Sequence, residues 1–416
     1  MPKFLDLYAG AGGLSEGFIR ERYSPIAHVE MDEAACYTLK TRIAYHWLKE
    51  QNRLAEYADY LSGKIKRSEL YALIPEHKLS SVVNKEISHE TLPDIFAKID
   101  HELNGEKLDL IVGGPPCQAY SLVGRSRDKN GMRGDKRNYL FVNYAEFLKR
   151  YKPKHFVFEN VLGLLSAKAE DGELYFDKMR TLFKEVGYET EYQVLSADEH
   201  GVLQNRKRII LIGKRGKKTG FYPSISTSTA VYTVNDLFHG LPTLKAGEGS
   251  IRPCRIKKGS SEYLFQSGIR NNDLPVTMHI ARPHTEQDLE IYRIAVQKWD
   301  GSSERLNYND LPERLKTHKN RRSFTDRFKV VAANLSASHT VVAHISKDGH
   351  YYIHPDINQN RSLTPREAAR IQTFPDDYFF ESVSEKTGRT AAFKQIGNAV
   401  PPLMSYVIAR EVKRIL

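Results

Sequence analysis

Cysteine is scarce: there are three in 416 residues. Cys36, Cys117 and Cys254 lie far apart with no CxxC pair, so neither a disulfide framework nor a structural zinc is supported, and no metal is expected. That usage points to a reducing, intracellular setting. Long apolar runs are missing too. None approaches the roughly 20 residues a membrane-spanning helix needs, which argues against a membrane protein. Met1-Pro2-Lys3 passes directly into Phe4-Leu5-Asp6-Leu7-Tyr8 without a leader core, so the mature chain is expected to start at or near residue 1. Acidic residues are the third shortage. Lys and Arg number 62 against 51 Asp and Glu, a net charge of +11 with a pI near 9.2. This balance favours polyanionic partners, nucleic acid first. With 40% hydrophobic and 27% charged residues and a mean hydropathy of -0.51, the composition is that of a soluble globular protein of two or three domains and not of a disordered chain.

The first 215 residues alternate short β-rich runs with helical patterns, the signature of an α/β fold with a parallel, doubly wound sheet. Strands are expected at Lys3–Tyr8, Ile26–Met31, Leu108–Val112, His155–Glu159 and Ile209–Gly213. Between the second and third, residues 33–81 are charged and mostly helical, with Leu39, Ile43 and Trp47 at i, i+4, i+8, the spacing of one helix face. This stretch is expected to pack as an added helical layer. After Gly213 turns multiply, with short β-like pieces at Thr340–His344 and Tyr351–His354 and few long periodic helices, which puts a domain boundary near residue 216. Helix returns from Pro401 to Leu416, where Leu403, Val407 and Ile408 make an apolar face that has to be buried. The expected division is 1–215 plus 385–416 for the catalytic and cofactor-binding domain, and 216–384 for the second.

Asp6 to Phe18 runs from a strand through Gly10, Gly12 and Gly13 into a helix, so backbone can approach a ligand at a helix N-terminus. The dinucleotide fingerprint fails because Ser15 stands where its third glycine belongs. Glu30, ending the second strand, is placed to accept hydrogen bonds from both hydroxyls of a ribose. An adenosine-containing cofactor fits; the plainer alternative is a tight turn followed by a solvated glutamate.

The strand Leu108–Val112 delivers Gly113-Gly114-Pro115-Pro116-Cys117-Gln118-Ala119-Tyr120-Ser121 to the edge of the sheet where such folds bind ligands. A lone cysteine is usually a small buried apolar group. Here two prolines stiffen its approach, two glycines open space, and the Arg125, Arg127, Lys129, Arg133, Lys136 and Arg137 that follow favour thiolate. Phe158-Glu159-Asn160-Val161 ends another strand and sets a carboxylate at the same crevice; alternatively Glu159 caps a helix expected from Leu162. In Gln204-Asn205-Arg206-Lys207-Arg208, alternation leaves Arg206 and Arg208 on one face, to pair with Glu159 or hold a polar ring oxygen. A solvated strand edge is the other option.

Taken in order, these residues resemble the DNA (cytosine-5) methyltransferase family of bacterial restriction-modification type, over nearly the whole chain. Asp6–Phe18 resembles the family's first S-adenosylmethionine block, Glu30-Met31-Asp32 the ribose block and Pro115-Pro116-Cys117-Gln118 the nucleophile block. Glu159-Asn160-Val161 and Gln204–Arg208 resemble the two blocks that hold the cytosine. Arg361-Ser362-Leu363-Thr364-Pro365-Arg366-Glu367-Ala368-Ala369-Arg370 resembles the block that organises the target-recognition region, and Gln395-Ile396-Gly397-Asn398-Ala399-Val400-Pro401-Pro402 the last, which returns to the cofactor. Three positions depart from the pattern: Tyr8 stands for the usual phenylalanine, Leu203 for a proline, and Lys85-Glu86-Ile87 for Gly-Asp-Ile.

The resemblance implies a Rossmann-like methyltransferase sheet with a smaller, irregular, β-containing target-recognition domain. It implies S-adenosylmethionine bound by Tyr8, Gly10, Gly12, Gly13, Glu30, Met31, Glu86, Pro116, Leu140, Asn398 and Val400. It implies catalysis by Cys117, Glu159, Arg206 and Arg208 on a cytosine flipped out of double-stranded DNA. Cys117 would add to carbon 6 so that carbon 5 becomes nucleophilic enough to take a methyl group, with the base for the carbon 5 proton unassigned. Gln118, Ser121, Arg125, Arg133, Gln204 and Thr340 would meet DNA. Arg321 and Arg322 join them because Leu311–Val330 holds seven Lys/Arg against two acids, interleaved with His318, Phe324 and Phe328, a composition suited to phosphate contact and base readout. A monomer acting in the bacterial cytoplasm at the nucleoid, with a separately encoded restriction endonuclease as companion, completes the expectation. Its rivals are an RNA cytosine-5 methyltransferase and an inactive DNA-binding regulator.

Overall fold

The computed structural model describes residues 1–116, 139–256, 261–322, 324–385 and 388–416. In chain order the N-terminal half forms β1 (Lys3–Leu7), α1 (Gly13–Arg20), β2 (Ser24–Glu30), α2 (Glu33–Glu50), α3 (Leu54–Leu61), α4 (Arg67–Ala72), α5 (Glu76–Ser80), β3 (Val82–Asn84) and α6 (Leu92–Leu103). It continues with β4 (Leu110–Gly113), α7 (Leu140–Tyr151), β5 (His155–Asn160), α8 (Tyr175–Glu185), β6 (Tyr188–Ser196), β7 (Gln204–Asn205) and β8 (Lys207–Arg215). Seven strands make one sheet in the order β3-β2-β1-β4-β5-β8-β6. The first five are parallel, and β8 runs antiparallel between β5 and β6.

Period-two alternation decides which face each side chain joins. Leu5 and Leu7 of β1 and Ile111 of β4 enter the apolar layer under α6, α7 and α8. Phe4 of β1 and Leu110 and Val112 of β4 enter the opposite layer with Leu14 and Phe18 of α1. That second layer is completed from the far end of the sequence. The last helix, α12 (Pro402–Lys413), follows α11 (Arg389–Asn398) and contributes Met404, Ile408 and Val412. Gly17 allows the close approach, since a Cβ there would lie 2.3 Å from the Tyr406 nitrogen. The Tyr23 hydroxyl also donates to the Ala409 carbonyl at 3.0 Å.

The helical stretch after β2 is present as α2 to α5, with α2 capped by the Asp32 side chain accepting from the Ala35 nitrogen. It packs not on the sheet alone but against residues 363–380 and α11, in a cluster holding Tyr45, Tyr57, Leu61, Leu363, Phe374, Tyr378 and Phe393. Buried ion pairs cross the same contact. Arg42 bridges Glu16 and Asp377, and Arg67 reaches Glu381.

Several elements differ from expectation. β3 and β6 were not anticipated: β3 has three residues, and β6 is an edge strand whose Tyr188-Glu-Thr-Glu-Tyr-Gln pattern carries charge and half-exposed positions. The residues after Glu159 form a short 3-10 turn, Leu162–Ser166, in place of a helix. Beyond residue 216 a long helix does occur, α9 (Glu286–Ser302), started by a Thr285/Asp288 capping box. Thr340–His344 and Tyr351–His354 are not strands. β9 (Ser338–His339) pairs with β7, Ala343–Ser346 is a 3-10 turn, and only isolated bridges involve Ile353. The Tyr352 hydroxyl, donating to the Thr340 carbonyl and accepting from the Val342 nitrogen, satisfies there the groups a ladder would have paired.

Candidate active site

The carboxyl ends of β1, β2, β4 and β5 share one edge of the sheet, and the site is built on it. After β1 the backbone turns through Tyr8, Gly10 and Gly12, all at positive φ (58°, 54° and 80°), and the Gly12 nitrogen donates to the Ala9 carbonyl at 2.9 Å before α1 begins. The glycines have different duties. Among the described residues a Cβ on Gly10 would meet nothing within 4 Å, whereas one on Gly13 would lie 2.3 Å from the Val400 carbonyl. Gly10 therefore faces open space suited to a ligand, and Gly13 admits the returning C-terminal segment.

Glu30 closes this cradle at the end of β2. Its carboxylate accepts from the backbone nitrogens of Gly10 (2.8 Å), Met31 (2.9 Å) and Asp32 (2.8 Å), which fixes it beside the glycine turn, while burial raises its pKa. Met31 beside it is 59% exposed, an apolar face open to a flat ring. Glu86 is exposed two residues past β3, which pairs Asn84 with Glu30, so it lies on the same edge. The Tyr8 hydroxyl donates to the Leu140 carbonyl at 3.2 Å, and Asn398 is exposed at the end of α11. Open space over Gly10, an anchored carboxylate and an exposed thioether suit an adenosine with its ribose.

A residue that sequence analysis passed over lies beneath. Asp6 is fully buried and accepts from the Ser15 hydroxyl; its second carboxylate oxygen has no partner among the described residues. Burial pushes its pKa up to about 7. The signal was available, because Ser15 replaces a glycine at the point where a hydroxyl can reach back into the sheet.

At the chemical end, β4 and β5 run in register with Gly113 opposite Phe158. A Cβ on Gly114 would sit 2.4 Å from the Glu159 carbonyl and 2.8 Å from its Oε2, so only glycine lets the Pro115-Pro116 segment pass this close to the carboxylate. The Asn160 amide donates to the Pro115 carbonyl at 3.2 Å while its oxygen accepts from the Val161 nitrogen at 2.9 Å. Asn160, not Glu159, thus serves the turn that follows, and Glu159 is left for the crevice. The chain then enters Cys117; this residue and Gln118, Ser121, Arg125 and Arg133 lie outside the described residues.

The two arginines of the Gln204–Arg208 block part company. Arg208 Nε stands 2.7 Å from Glu159 Oε1, the side chains 13% and 14% exposed. Arg206 is buried, and its guanidinium donates to the carbonyls of Val341 (2.8 Å), Ala399 (2.8 Å) and Gly397 (3.5 Å). The single-face expectation fails because the strand is interrupted at Arg206, and alternation does not run through the break. Gln204, expected at DNA, is also buried. Its amide spans the Gln372 side chain, the Ile371 carbonyl and the Val341 nitrogen, so it joins blocks to one another. Thr340 meets the site through its hydroxyl, which donates to the Asn205 carbonyl.

The block from Arg361 to Arg370, which runs into α10 (Pro365–Ile371), ties down residues 237–280. Arg361 binds Glu367 and the Leu244 carbonyl. Arg366 binds the carbonyls of Thr277, Pro375 and Tyr378. Arg370 pairs with Asp376 and reaches the carbonyls of Leu237 and His239. All three guanidiniums are fully buried and paired, which specifies one docking of 237–280 on this segment. Arg321 and Arg322 are exposed, while Phe328 is buried with α9 and unavailable to bases.

The family model for C-5 cytosine-specific DNA methylase matches residues 76–414. A type II methyltransferase of Bacillus paralicheniformis, M.Bpa9945I, is 43% identical, the match covering 99% of this chain and 98% of the relative. M.DdeI of Desulfomicrobium norvegicum is 29% identical over 98% and 88%. Among solved structures, one described as a prophage-encoded DNA modification methyltransferase (E. coli) covers 100% of the chain at TM-score 0.62 and 21% identity. The methyltransferase EhMeth of Entamoeba histolytica does so at 0.54 and 15%.

Proposed function

Since the chain belongs to the C-5 cytosine-specific DNA methylases and is a DNA (cytosine-5) methyltransferase of the type II restriction-modification kind, we propose that it methylates a flipped-out cytosine through a covalent bond to Cys117. The observation that carries this reading is the Gly114 backbone against the Glu159 carboxylate, with Arg208 2.7 Å away. It sets a charge-balanced pair against a glycine that stands three residues before Cys117 in sequence.

Carbon 5 of cytosine is a weak nucleophile. The Cys117 thiolate forms a bond to carbon 6, and the carbon 5–carbon 6 electron pair moves so that carbon 5 becomes enamine-like. Glu159 acts as the acid, donating its carboxyl proton to N3, where negative charge develops, while its other oxygen accepts from the exocyclic amino group; the proton returns when the thiolate leaves, and Arg208 orients Glu159 and reaches the 2-oxo group. S-adenosylmethionine, when bound, supplies an electrophilic methyl group. Gly10 leaves room for it, Glu30 holds its ribose, Met31 and Tyr8 flank its adenine, and Val400 closes the pocket against Gly13. Loss of the carbon 5 proton and departure of the thiolate then restore aromaticity. Arg206 is a positioning residue in this scheme, tying the cytosine-holding block to the last block.

The same reading makes 1–215 plus 385–416 the catalytic lobe and 216–384 the target-recognition lobe, with 361–382 as the strut between them. It makes double-stranded DNA the substrate of a monomer working beside a separately encoded endonuclease, at the nucleoid. Among the described residues no helix is long and apolar enough to cross a membrane.

The experiment is a covalent trap. Bisulfite sequencing of plasmid from expressing cells first locates the modified cytosine; a duplex carrying 5-fluorocytosine there blocks proton loss. Wild type should form a denaturation-resistant complex with it and Cys117→Ala none. A complex that persists in the alanine variant removes Cys117 from the mechanism.

A further inference from the structure

The basic stretch Leu311–Val330 is less cationic in three dimensions than in sequence. Five of its seven Lys and Arg face carboxylates: Arg314 faces Glu290, Lys316 (2.6 Å) and Arg321 (3.1 Å) both face Glu313, Arg327 faces Asp348 at 2.9 Å and Lys329 faces Asp326 at 2.6 Å. Lys319 and Arg322 have no carboxylate partner among the described residues, and both are exposed. Four carboxylates face these five cations, with Glu313 shared by two of them, so most of the charge without an ion-pair partner among the described residues stands on Lys319 and Arg322, on one turn.

That turn is held in place. His318 stacks on Phe324 with ring centroids 3.7 Å apart and planes within 4°, and Phe324 meets Tyr308 edge-on at 5.3 Å. The guanidinium of Arg327 lies 4.4 Å from the Phe324 centroid. The backbone is pinned at successive points: the His318 nitrogen donates to the Tyr308 hydroxyl at 2.8 Å, the Asn320 nitrogen to His318 Nδ1 at 3.1 Å, and the Arg322 nitrogen to the Asn320 side chain at 3.1 Å. Asn309 holds the Arg321 carbonyl at 3.1 Å. Tyr308 and Phe328 in turn belong to the apolar core under α9. An exposed turn tied this closely to a core has little backbone entropy left to lose on binding, so that cost falls on the side chains alone.

We propose that His318–Arg322 is the base-reading element of this enzyme, with Arg322 reading a guanine from the major groove and Lys319 seated on a phosphate. The proposal rests on the DNA-methylating reading above and deepens it. A planar guanidinium with two parallel donors matches O6 and N7 of guanine, whereas a compact ammonium suits a phosphate that carries no sequence. Arg321, its neighbour, is occupied by Glu313 and takes no part in readout.

The test uses the full-length chain. A randomised plasmid library methylated by wild type and mapped by bisulfite sequencing gives the target motif; a wild type that leaves no mark on DNA would fail the parent reading and not this one. Arg322→Ala should then become degenerate at one G·C pair of the motif, its preference there falling about 5- to 150-fold, with circular dichroism unchanged. Lys319→Ala should keep the motif, weaken binding to all sequences alike and lower the salt slope by about 0.9. Arg321→Ala should keep both motif and salt slope. An Arg322→Ala enzyme with every base preference intact overturns the proposal, and so does one that loses methylation uniformly over all sites.

Discussion

Two arginines separated by one residue should fail in opposite ways when removed. Arg206→Ala deletes donors to the Val341 and Ala399 carbonyls, each at 2.8 Å, leaving the Ala399 oxygen only the Gln372 amide at 3.2 Å. Hydrogen bonds to a charged group contribute about 1.5–3 kcal/mol each, so the loss is about 3–6 kcal/mol. An unfolding entropy of about 2.1 cal/mol/K per residue amounts, over a chain of this length melting as one unit, to about 0.9 kcal/mol/K. The melting temperature should therefore fall by about 3–7 °C. Arg208→Ala removes one largely buried ion pair, which costs about 1–3 kcal/mol, between the exposed and the fully buried case, and moves the melt by about 1–3 °C. Its rate should suffer instead, by about 100-fold or more, the usual consequence of losing a donor aimed at developing charge. Differential scanning calorimetry and single-turnover methylation of a mapped site measure both quantities. An Arg206→Ala protein that melts within a degree of wild type, or an Arg208→Ala enzyme of normal kcat, would refute the division of labour drawn from these contacts.

Three other outcomes are expected. Asp6, raised from 3.8 to about 7 by burial, holds a proton in the folded chain that the unfolded chain has already lost. Stability should therefore decline as pH rises from about 4 to 7, by at most about 1.4 kcal/mol per unit, and chemical denaturation of Asp6→Asn across that window should show a flatter profile. Gly13→Ala drives a Cβ into the Val400 carbonyl and should weaken S-adenosylmethionine binding by about tenfold or more in a calorimetric titration; unchanged affinity would detach the C-terminal segment from the pocket. Arg42→Met leaves Glu16 and Asp377 buried without their shared partner and should destabilise by about 3–5 kcal/mol. Adding Glu16→Gln and Asp377→Asn should restore much of the melting temperature.

The parts of the site that were legible are those whose role is local. Glycine at positions 10 and 12 is required by the turn itself, and Glu30 and Glu159 lie at strand ends, so apolar runs of period two locate them within a residue or so. What escaped depended on neighbours distant in sequence. β6 hides its strand character because an edge strand tolerates charge, and β3 is too short to show a period. Gln204 and Arg206 look like ligand contacts in a list of polar residues, and only their partners at 341, 371–372 and 397–399 reveal them as joints.

The sequence by itself determined the chemistry and the scaffold: the order of the blocks, the strand-to-glycine-to-helix turn, the cysteine after two prolines, and the excess of positive charge. These follow from short-range rules of backbone conformation and side-chain reactivity. The tertiary structure decided how the polar residues are shared out. Folding paired Arg208 with Glu159 and buried Arg206 among carbonyls. It set five of the seven cations of the basic stretch against four carboxylates, left two without one among the described residues, and brought residue 400 against residue 13. Pairing energies depend on distance and burial; some partners are near in sequence, as Lys329 and Asp326 are, but those of Arg206 lie 135 and 193 residues away, which no local pattern encodes.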